Sequence, residues 1–156
     1  MPSAVDKSVL LIEDSRAKAR AIRECVKAAF PTAEIVETDT IAIAGQLLDR
    51  RVYSGIVLDL AFNKSQQTVD LGDRPYLAGI EILQQLNEMR LPYPVIVATQ
   101  HSSFQNTRYG SFESAANLAT MLGTVFRRNF RALVEVDLGD TKWRENLQDL
   151  MLEHFR

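Results

Sequence analysis

The sequence predicts a doubly wound α/β fold, in which helices cover both faces of a parallel β-sheet. Five apolar runs of strand length alternate along the chain with segments whose apolar residues recur every three or four positions. The chain has 156 residues, of which 46% are hydrophobic and 24% charged, as expected for one globular domain. Because each right-handed crossover lays its helix against the sheet, successive βα units cover both faces.

The strands are predicted from short apolar runs. Residues 9–12 (VLLI) are four apolar residues in succession, and residues 55–60 (GIVLDL) are apolar on both sides, as a strand covered on both faces requires. The five strands are predicted over residues 9–12, 34–37, 55–60, 94–99 and 133–136.

The helices are predicted from apolar residues that share one face. The first should span residues 15–30 and end at Pro31. The second should stop near Arg50, and the last should be capped near Asp140 or Thr141. The apolar faces are formed by Ala21, Ile22, Cys25, Val26 and Ala29; by Ile41, Ala44, Leu47 and Leu48; by Ile80, Leu83 and Leu86; by Ala115, Leu118, Ala119, Leu122 and Phe126; and by Trp143, Leu147, Leu150 and Met151.

Charge and composition exclude several classes of function. Eighteen basic and twenty acidic residues give a net charge of −2, which provides no long-range attraction to nucleic acid or to anionic lipid. No stretch has the character of a signal peptide or approaches the ~20 apolar residues of a membrane span. Cys25 is the only cysteine, so no internal disulfide can form, and a reducing compartment is favoured. We therefore expect a cytoplasmic protein without a nucleic-acid or membrane partner.

Polar side chains stand at the ends of three predicted strands. Glu13 and Asp14 follow the first, Asp59 lies near the end of the third, and Thr99 ends the fourth. In a doubly wound fold, these ends meet at the edge of the sheet where ligands bind. Two carboxylates ~4 Å apart repel by about 4 kcal/mol near a protein surface, and a hard divalent cation relieves that repulsion. The acids therefore predict a Mg²⁺ site, and the Thr99 hydroxyl could donate to a phosphoryl oxygen. The plainer alternative is that Asp14 or Ser15 only caps the following helix.

Four segments resemble the receiver domain of two-component response regulators: VLLIEDSRAKAR, GIVLDL, AGIEILQQL and PVIVAT. The resemblance covers nearly the whole chain and implies a five-stranded sheet of order 2-1-3-4-5. It also implies that Asp59 accepts a phosphoryl group from the phosphohistidine of a sensor kinase. By the same resemblance, Asp14 is a direct Mg²⁺ ligand, Glu13 holds the metal through water, and the backbone carbonyl of Ala61 completes the metal shell. Thr99 would move toward the new acyl phosphate.

The sequence departs from the receiver pattern at three positions near this site. The family has a lysine at the end of its fifth strand, where the ammonium pairs with the phosphoryl group; here Val136 or Asp137 stands in that place. Lys142, at the start of the last helix, could substitute for it or could be an ordinary solvated residue. Val134 replaces the aromatic residue that rotates on activation, and Gln100 replaces the small residue that follows the threonine.

Two connections are longer than the usual ~2–6 residues of a βα loop. Residues 61–77 follow Asp59, and residues 100–110 delay the fourth helix to about Ser111. The first could gate the acceptor or contact a partner, or it could be a tolerated insertion. We therefore predict one receiver-like domain over residues 1–156 with two long inserted loops.

Three functions are compatible with these features. The first is an atypical receiver with little output apparatus of its own, which is phosphorylated on Asp59 by a sensor histidine kinase or a phosphotransfer protein. Its response would reach a downstream partner, or a second copy of the chain, through the face formed by the fourth helix, fifth strand and fifth helix. The second is a pseudo-receiver, an interaction adaptor that phosphorylation does not regulate. The third, a Mg²⁺-dependent hydrolase or phosphotransferase with Asp59 as nucleophile, is disfavoured because no second aspartate follows two residues later. We therefore do not expect an enzyme.

Overall fold

The computed structural model describes residues 7–60, 77–100, 104–107 and 110–156. Its main sheet contains β1 (Ser8–Ile12), β2 (Glu34–Thr38), β3 (Gly55–Leu58), β4 (Val95–Thr99) and β7 (Phe130–Glu135). These strands are all parallel and lie in the order β2-β1-β3-β4-β7. The predicted fold class and strand order are therefore confirmed.

Five helices connect or follow the strands. They are α1 (Arg16–Ala29), α2 (Ile41–Leu47), α3 (Ile80–Met89), α4 (Ala115–Val125) and α5 (Lys142–His154). None of them, within the residues described, has both the length and the apolar character that crossing a membrane requires.

The core is divided by the sheet into two layers. Alternate residues of β1 show the division, because Leu10 and Ile12 pack on one side while Val9 and Leu11 pack on the other. The first side is covered by α2, α3 and α4, and the second by α1 and α5. The continuous apolar runs are thus explained by burial of both faces of the central strands.

One predicted loop contains a short second sheet. The strand β5 (Phe104–Thr107) lies within the loop expected over residues 100–110, and it pairs antiparallel with β6 (Gly110–Phe112), which begins at the end of that loop. The fourth helix therefore starts at Ala115 rather than near Ser111. The segment contains two phenylalanines and a threonine, which favour strands, but each strand is too short to give a readable period. The predicted insertion over residues 61–77 lies almost entirely outside the described residues.

The first helix begins at a capped turn immediately after the two acids. Ser15 is the N-cap, and its hydroxyl oxygen accepts a hydrogen bond from the backbone N–H of Lys18 at 3.4 Å. The carboxylate of Glu13 accepts from the backbone N–H of Ser15 at 3.1 Å. Of the two capping residues considered from the sequence, Ser15 therefore has this role, and Asp14 is left for other contacts.

Candidate metal centre

The parallel strands bring the predicted acids to one edge of the sheet. Ile12 of β1 lies opposite Leu58 of β3, so the residues that follow them leave the sheet side by side. The backbone N–H of Asp59 donates to the carbonyl of Ile12 at 3.0 Å, and that of Glu13 donates to the carbonyl of Thr38 at 3.1 Å. These two hydrogen bonds extend the ladder beyond the strands and fix the backbone from which both carboxylates project.

Three carboxylates form a compact cluster at this edge. Glu13, Asp14 and Asp59 each offer an oxygen, and these oxygens all lie within 4.8 Å of one another. Glu13 and Asp59 are each only 5% exposed, whereas Asp14 is half-buried. Hard oxygen donors so close together fit a hard divalent cation such as Mg²⁺.

Of the other two predicted site residues, the structure describes Thr99 but not Ala61. Thr99 is fully buried at the end of β4, and its carbonyl accepts a hydrogen bond from the backbone N–H of Val136 at 2.7 Å. This bond joins the end of β4 to the residue that follows β7. Ala61, whose carbonyl the resemblance assigned to the metal shell, lies outside the described residues.

A lysine that the sequence reading did not single out enters the cluster. Lys18 of α1 is 1% exposed, and its Nζ lies 2.8 Å from Glu13 Oε1 and 3.3 Å from Asp59 Oδ1. The signal was present in the sequence, because Lys18 precedes Ala21, Ile22 and Cys25 by three, four and seven positions and therefore falls on the apolar face of its helix. A lysine at such a position must either extend its ammonium to water or find an anion.

Burial and charge act in opposite directions on Glu13. Desolvation first, and then the negative charge of Asp59, raise the pKa of Glu13 to about 7, while Lys18 acts to lower it. One ammonium therefore does not fully compensate the carboxylates around it. A further cation in the cluster would favour the ionised form of Glu13, which is the electrostatic reason to expect a metal here.

The end of β7 carries no cation next to this cluster. Val136 is buried in the core beneath α1 and α5, and Asp137 is exposed. Lys142 is exposed at the start of α5, where it lines a separate depression with Asp137 and Asp140. Lys142 thus has the surroundings of a solvated helix residue, and the buried ammonium of the cluster comes from Lys18. Val134 is buried, and Gln100 is exposed.

The start of α3 presses directly on the backbone at Asp59. Gly79 donates its backbone N–H to the carbonyl of Leu60 at 2.9 Å. A Cβ at this position would stand 2.3 Å from the carbonyl oxygen of Asp59 and 2.7 Å from the Cα of Leu60, both of which are backbone atoms. Only glycine allows this approach, so Gly79 helps to set the position of Asp59.

An open cleft leads from solvent to two of the acids. It has a volume of about 590 Å³ and is lined by Glu13 and Asp14 together with residues of α1 and the end of β2. On its wall, the guanidinium of Arg23 donates two hydrogen bonds to the carboxylate of Glu37, at 2.6 and 3.1 Å. The cleft gives a hydrated ion a path to the acidic cluster.

Comparison with known proteins finds the same architecture. No protein-family model matches the chain. The Detocs response regulatory protein DtcB of Enterobacter cloacae (strain JD6301) is 22% identical over 143 residues, which cover 89% of this chain and 94% of that protein.

Three solved structures illustrate the structural similarity. One is the receiver domain of a sensor histidine kinase from Pseudomonas aeruginosa PAO1, which has a magnesium ion coordinated in its active-site cleft. It is 16% identical to this chain with a TM-score of 0.58, and the alignment covers 97% of this chain and 98% of that one. The phosphorylated cyanobacterial phytochrome response regulator RcpA is 15% identical with a TM-score of 0.62, covering 96% and 94%. A signal receiver domain from Bacteroides fragilis is 12% identical with a TM-score of 0.60, covering 97% and 98%. The chain therefore has the fold of the receiver domains of response regulators.

Proposed function

We propose that this chain is an atypical receiver of a two-component system, which accepts a phosphoryl group on Asp59. The observation that carries the proposal is the cluster of Glu13, Asp14 and Asp59, whose oxygens lie within 4.8 Å at the end of the central strands. Mg²⁺ would be held by these three acids and by the carbonyl of Ala61. Two similar proteins support this view, since one has magnesium in its cleft and the other is phosphorylated.

The chemistry follows from a carboxylate that is held in place beside a cation. An oxygen of Asp59 attacks the phosphorus of the donor, an O–P bond forms, and the N–P bond of a phosphohistidine breaks with its electron pair leaving on the imidazole nitrogen. When bound, Mg²⁺ supplies positive charge to the phosphoryl oxygens. The hydroxyl of Thr99 would then donate a hydrogen bond to the acyl phosphate.

The proposal extends to partners and compartment. The donor is a sensor histidine kinase or a phosphotransfer protein. The signal would pass from Thr99 to β7, because their backbones are joined by the Val136 hydrogen bond, and on to the face formed by α4, β7 and α5. A downstream protein or a second copy of the chain would bind there. Residues 1–156 would act as one domain. The compartment would be the cytoplasm, because its reducing conditions suit a free, buried thiol such as that of Cys25.

One specific observation favours a second candidate function. The ammonium of Lys18 already pairs with Glu13 and Asp59. If this pairing excludes metal, the chain would be a pseudo-receiver, an adaptor that binds its partner without phosphorylation.

The test is a titration with Mg²⁺ followed by beryllofluoride, observed through backbone amide shifts. The receiver should show Mg²⁺-dependent shifts around Glu13 and Asp59, a further change with beryllofluoride, and covalent phosphorylation by acetyl phosphate. Asp59→Asn should abolish the beryllofluoride change and the phosphorylation, whereas Asp149→Asn, the same change at an exposed position of α5, should preserve both. No response to millimolar metal and beryllofluoride would leave the adaptor.

A further inference from the structure

A purely structural role does not account for the cost of burying the charged ammonium of Lys18. At 1% exposure, the lysine has lost nearly all contact with water, and a buried charge is costly unless anions surround it. An apolar residue at this position on the inner face of α1 would pack against the same core at no such cost. The lysine is therefore best understood through the groups that its Nζ touches.

The contacts of Lys18 divide between a fixed anchor and the proposed acceptor. Its Nζ lies 2.8 Å from Glu13 Oε1 and 3.3 Å from Asp59 Oδ1. The other oxygen of Glu13 accepts a hydrogen bond from the backbone N–H of Ser15, so this carboxylate is hydrogen-bonded to the start of α1 at one oxygen and ion-paired with the lysine at the other. Asp59 makes the longer of the two contacts, so a group attached to Asp59 could attract the ammonium without breaking its anchor.

We propose that Lys18 delivers, from α1, the ammonium that pairs with the phosphoryl group on Asp59. This inference rests on the proposed function, because it requires Asp59 to be the acceptor. The cation that is absent from the end of strand β7 would thus reach the same pocket from helix α1. Lys142 has no part in it, since that side chain is exposed beside Asp137 and Asp140.

The pairing accompanies the transfer step without a proton transfer. As the Asp59 oxygen forms its bond to phosphorus, the bond from phosphorus to the donor breaks and the donor leaves with the electron pair. The acyl phosphate then carries its negative charge on the phosphoryl oxygens. The ammonium of Lys18 shifts from Asp59 Oδ1 to one of those oxygens and keeps its contact with Glu13.

A static counter-ion and a phosphoryl-pairing cation give different results on substitution. Lys18→Met removes the charge and preserves most of the apolar stem, while Lys142→Met makes the same change at an exposed lysine. If Lys18 pairs with the phosphoryl group, Lys18→Met should slow phosphorylation by acetyl phosphate at saturating Mg²⁺ on the order of 100- to 1,000-fold, in line with the loss of one donor to a developing anion. Mg²⁺ should bind Lys18→Met at least as tightly as the unmodified chain, because a competing cation is gone. Lys142→Met should change neither quantity.

A measurement on the unmodified chain guards against misfolding of the variant. The side-chain ¹⁵Nζ and Hε signals of Lys18, assigned through Lys18→Arg, should shift when beryllofluoride binds in the presence of Mg²⁺. Signals that do not move, or a Lys18→Met rate equal to that of the unmodified chain, would overturn the inference and leave Asp59 as the acceptor. If instead the unmodified chain takes no phosphoryl group and binds no beryllofluoride, the proposed function itself fails, and the pairing fails with it.

Discussion

Adding one methyl group at Gly79 should destabilise the protein and disturb the acceptor. The Cβ of Gly79→Ala would lie 2.3 Å from the carbonyl oxygen of Asp59, so the start of α3 or the end of β3 must move by at least about 0.7 Å to restore a 3.0 Å separation. No flexible side chain can yield in its place, because the Leu60 atom at 2.7 Å is also backbone.

The magnitude follows from two opposing effects. Gly79 has a helical φ of −61°, so alanine suffers no backbone strain there and would by itself gain about 0.4–1 kcal/mol from a less flexible unfolded chain. Overpacking against fixed neighbours costs typically ~1–3 kcal/mol. We therefore expect the free energy of unfolding to fall by about 1–2 kcal/mol, which lowers the Tm of a chain of this length by roughly 2–8 °C.

Gly123 supplies a matched control in the interior of α4. A Cβ there would meet nothing nearer than the Phe130 ring at 3.8 Å, which is ordinary contact. Gly123→Ala should raise the free energy of unfolding by about 0.5–1 kcal/mol, since glycine is unfavourable inside a helix. Urea unfolding measures both variants, and beryllofluoride binding should weaken only in Gly79→Ala. If Gly79→Ala is as stable as Gly123→Ala, the close packing of α3 on Asp59 is refuted.

Two further predictions concern the core. Asn129→Ala should lower the free energy of unfolding by about 2 kcal/mol or more. The buried amide of Asn129 donates hydrogen bonds to the carbonyls of Leu91 at 2.6 Å and Tyr93 at 3.0 Å, and each such bond contributes ~1 kcal/mol. Urea unfolding measures the loss, which should be almost absent in the control Asn146→Ala, because the side chain of Asn146 is exposed. Burial raises the pKa of the Cys25 thiol, so the native chain should not react with a disulfide reagent at about pH 8. The urea-unfolded chain should react within minutes. Rapid reaction without urea would contradict the burial of Cys25.

The fold could be predicted because its strongest signals are local in the sequence. Because β1, β3 and β4 are buried on both faces, the sequence of each is a nearly continuous apolar run. The helices between them carry apolar residues at helical spacing. The pair β5 and β6 could not be predicted in this way. Each has only three or four residues, and the pairing of such short strands depends on their surroundings rather than on a period.

The acids of the candidate site could be predicted for a related reason. Side chains that follow parallel strands necessarily meet at one edge, so strand ends alone were enough to bring Glu13, Asp14 and Asp59 together. The source of the positive charge could not be found by aligning strand ends. That source is Lys18, which is buried on the inner face of α1. The only sign of it in the sequence is the position of this lysine on the apolar face of the helix.

The charge of the pocket connects Lys18 to the state in which the protein would signal. With Glu13 ionised, three carboxylates and one ammonium leave two negative charges, which one divalent cation would balance. Phosphorylation of Asp59 then replaces one carboxylate charge with a phosphoryl group of about two negative charges, a net gain of about one. A unit charge ~4 Å away contributes roughly 4 kcal/mol at the effective dielectric near a protein surface, so the loss of Lys18 would weigh most heavily on the phosphorylated state. The metal-bound, unphosphorylated pocket would tolerate that loss better, because there the ammonium and the metal compete for the same carboxylates.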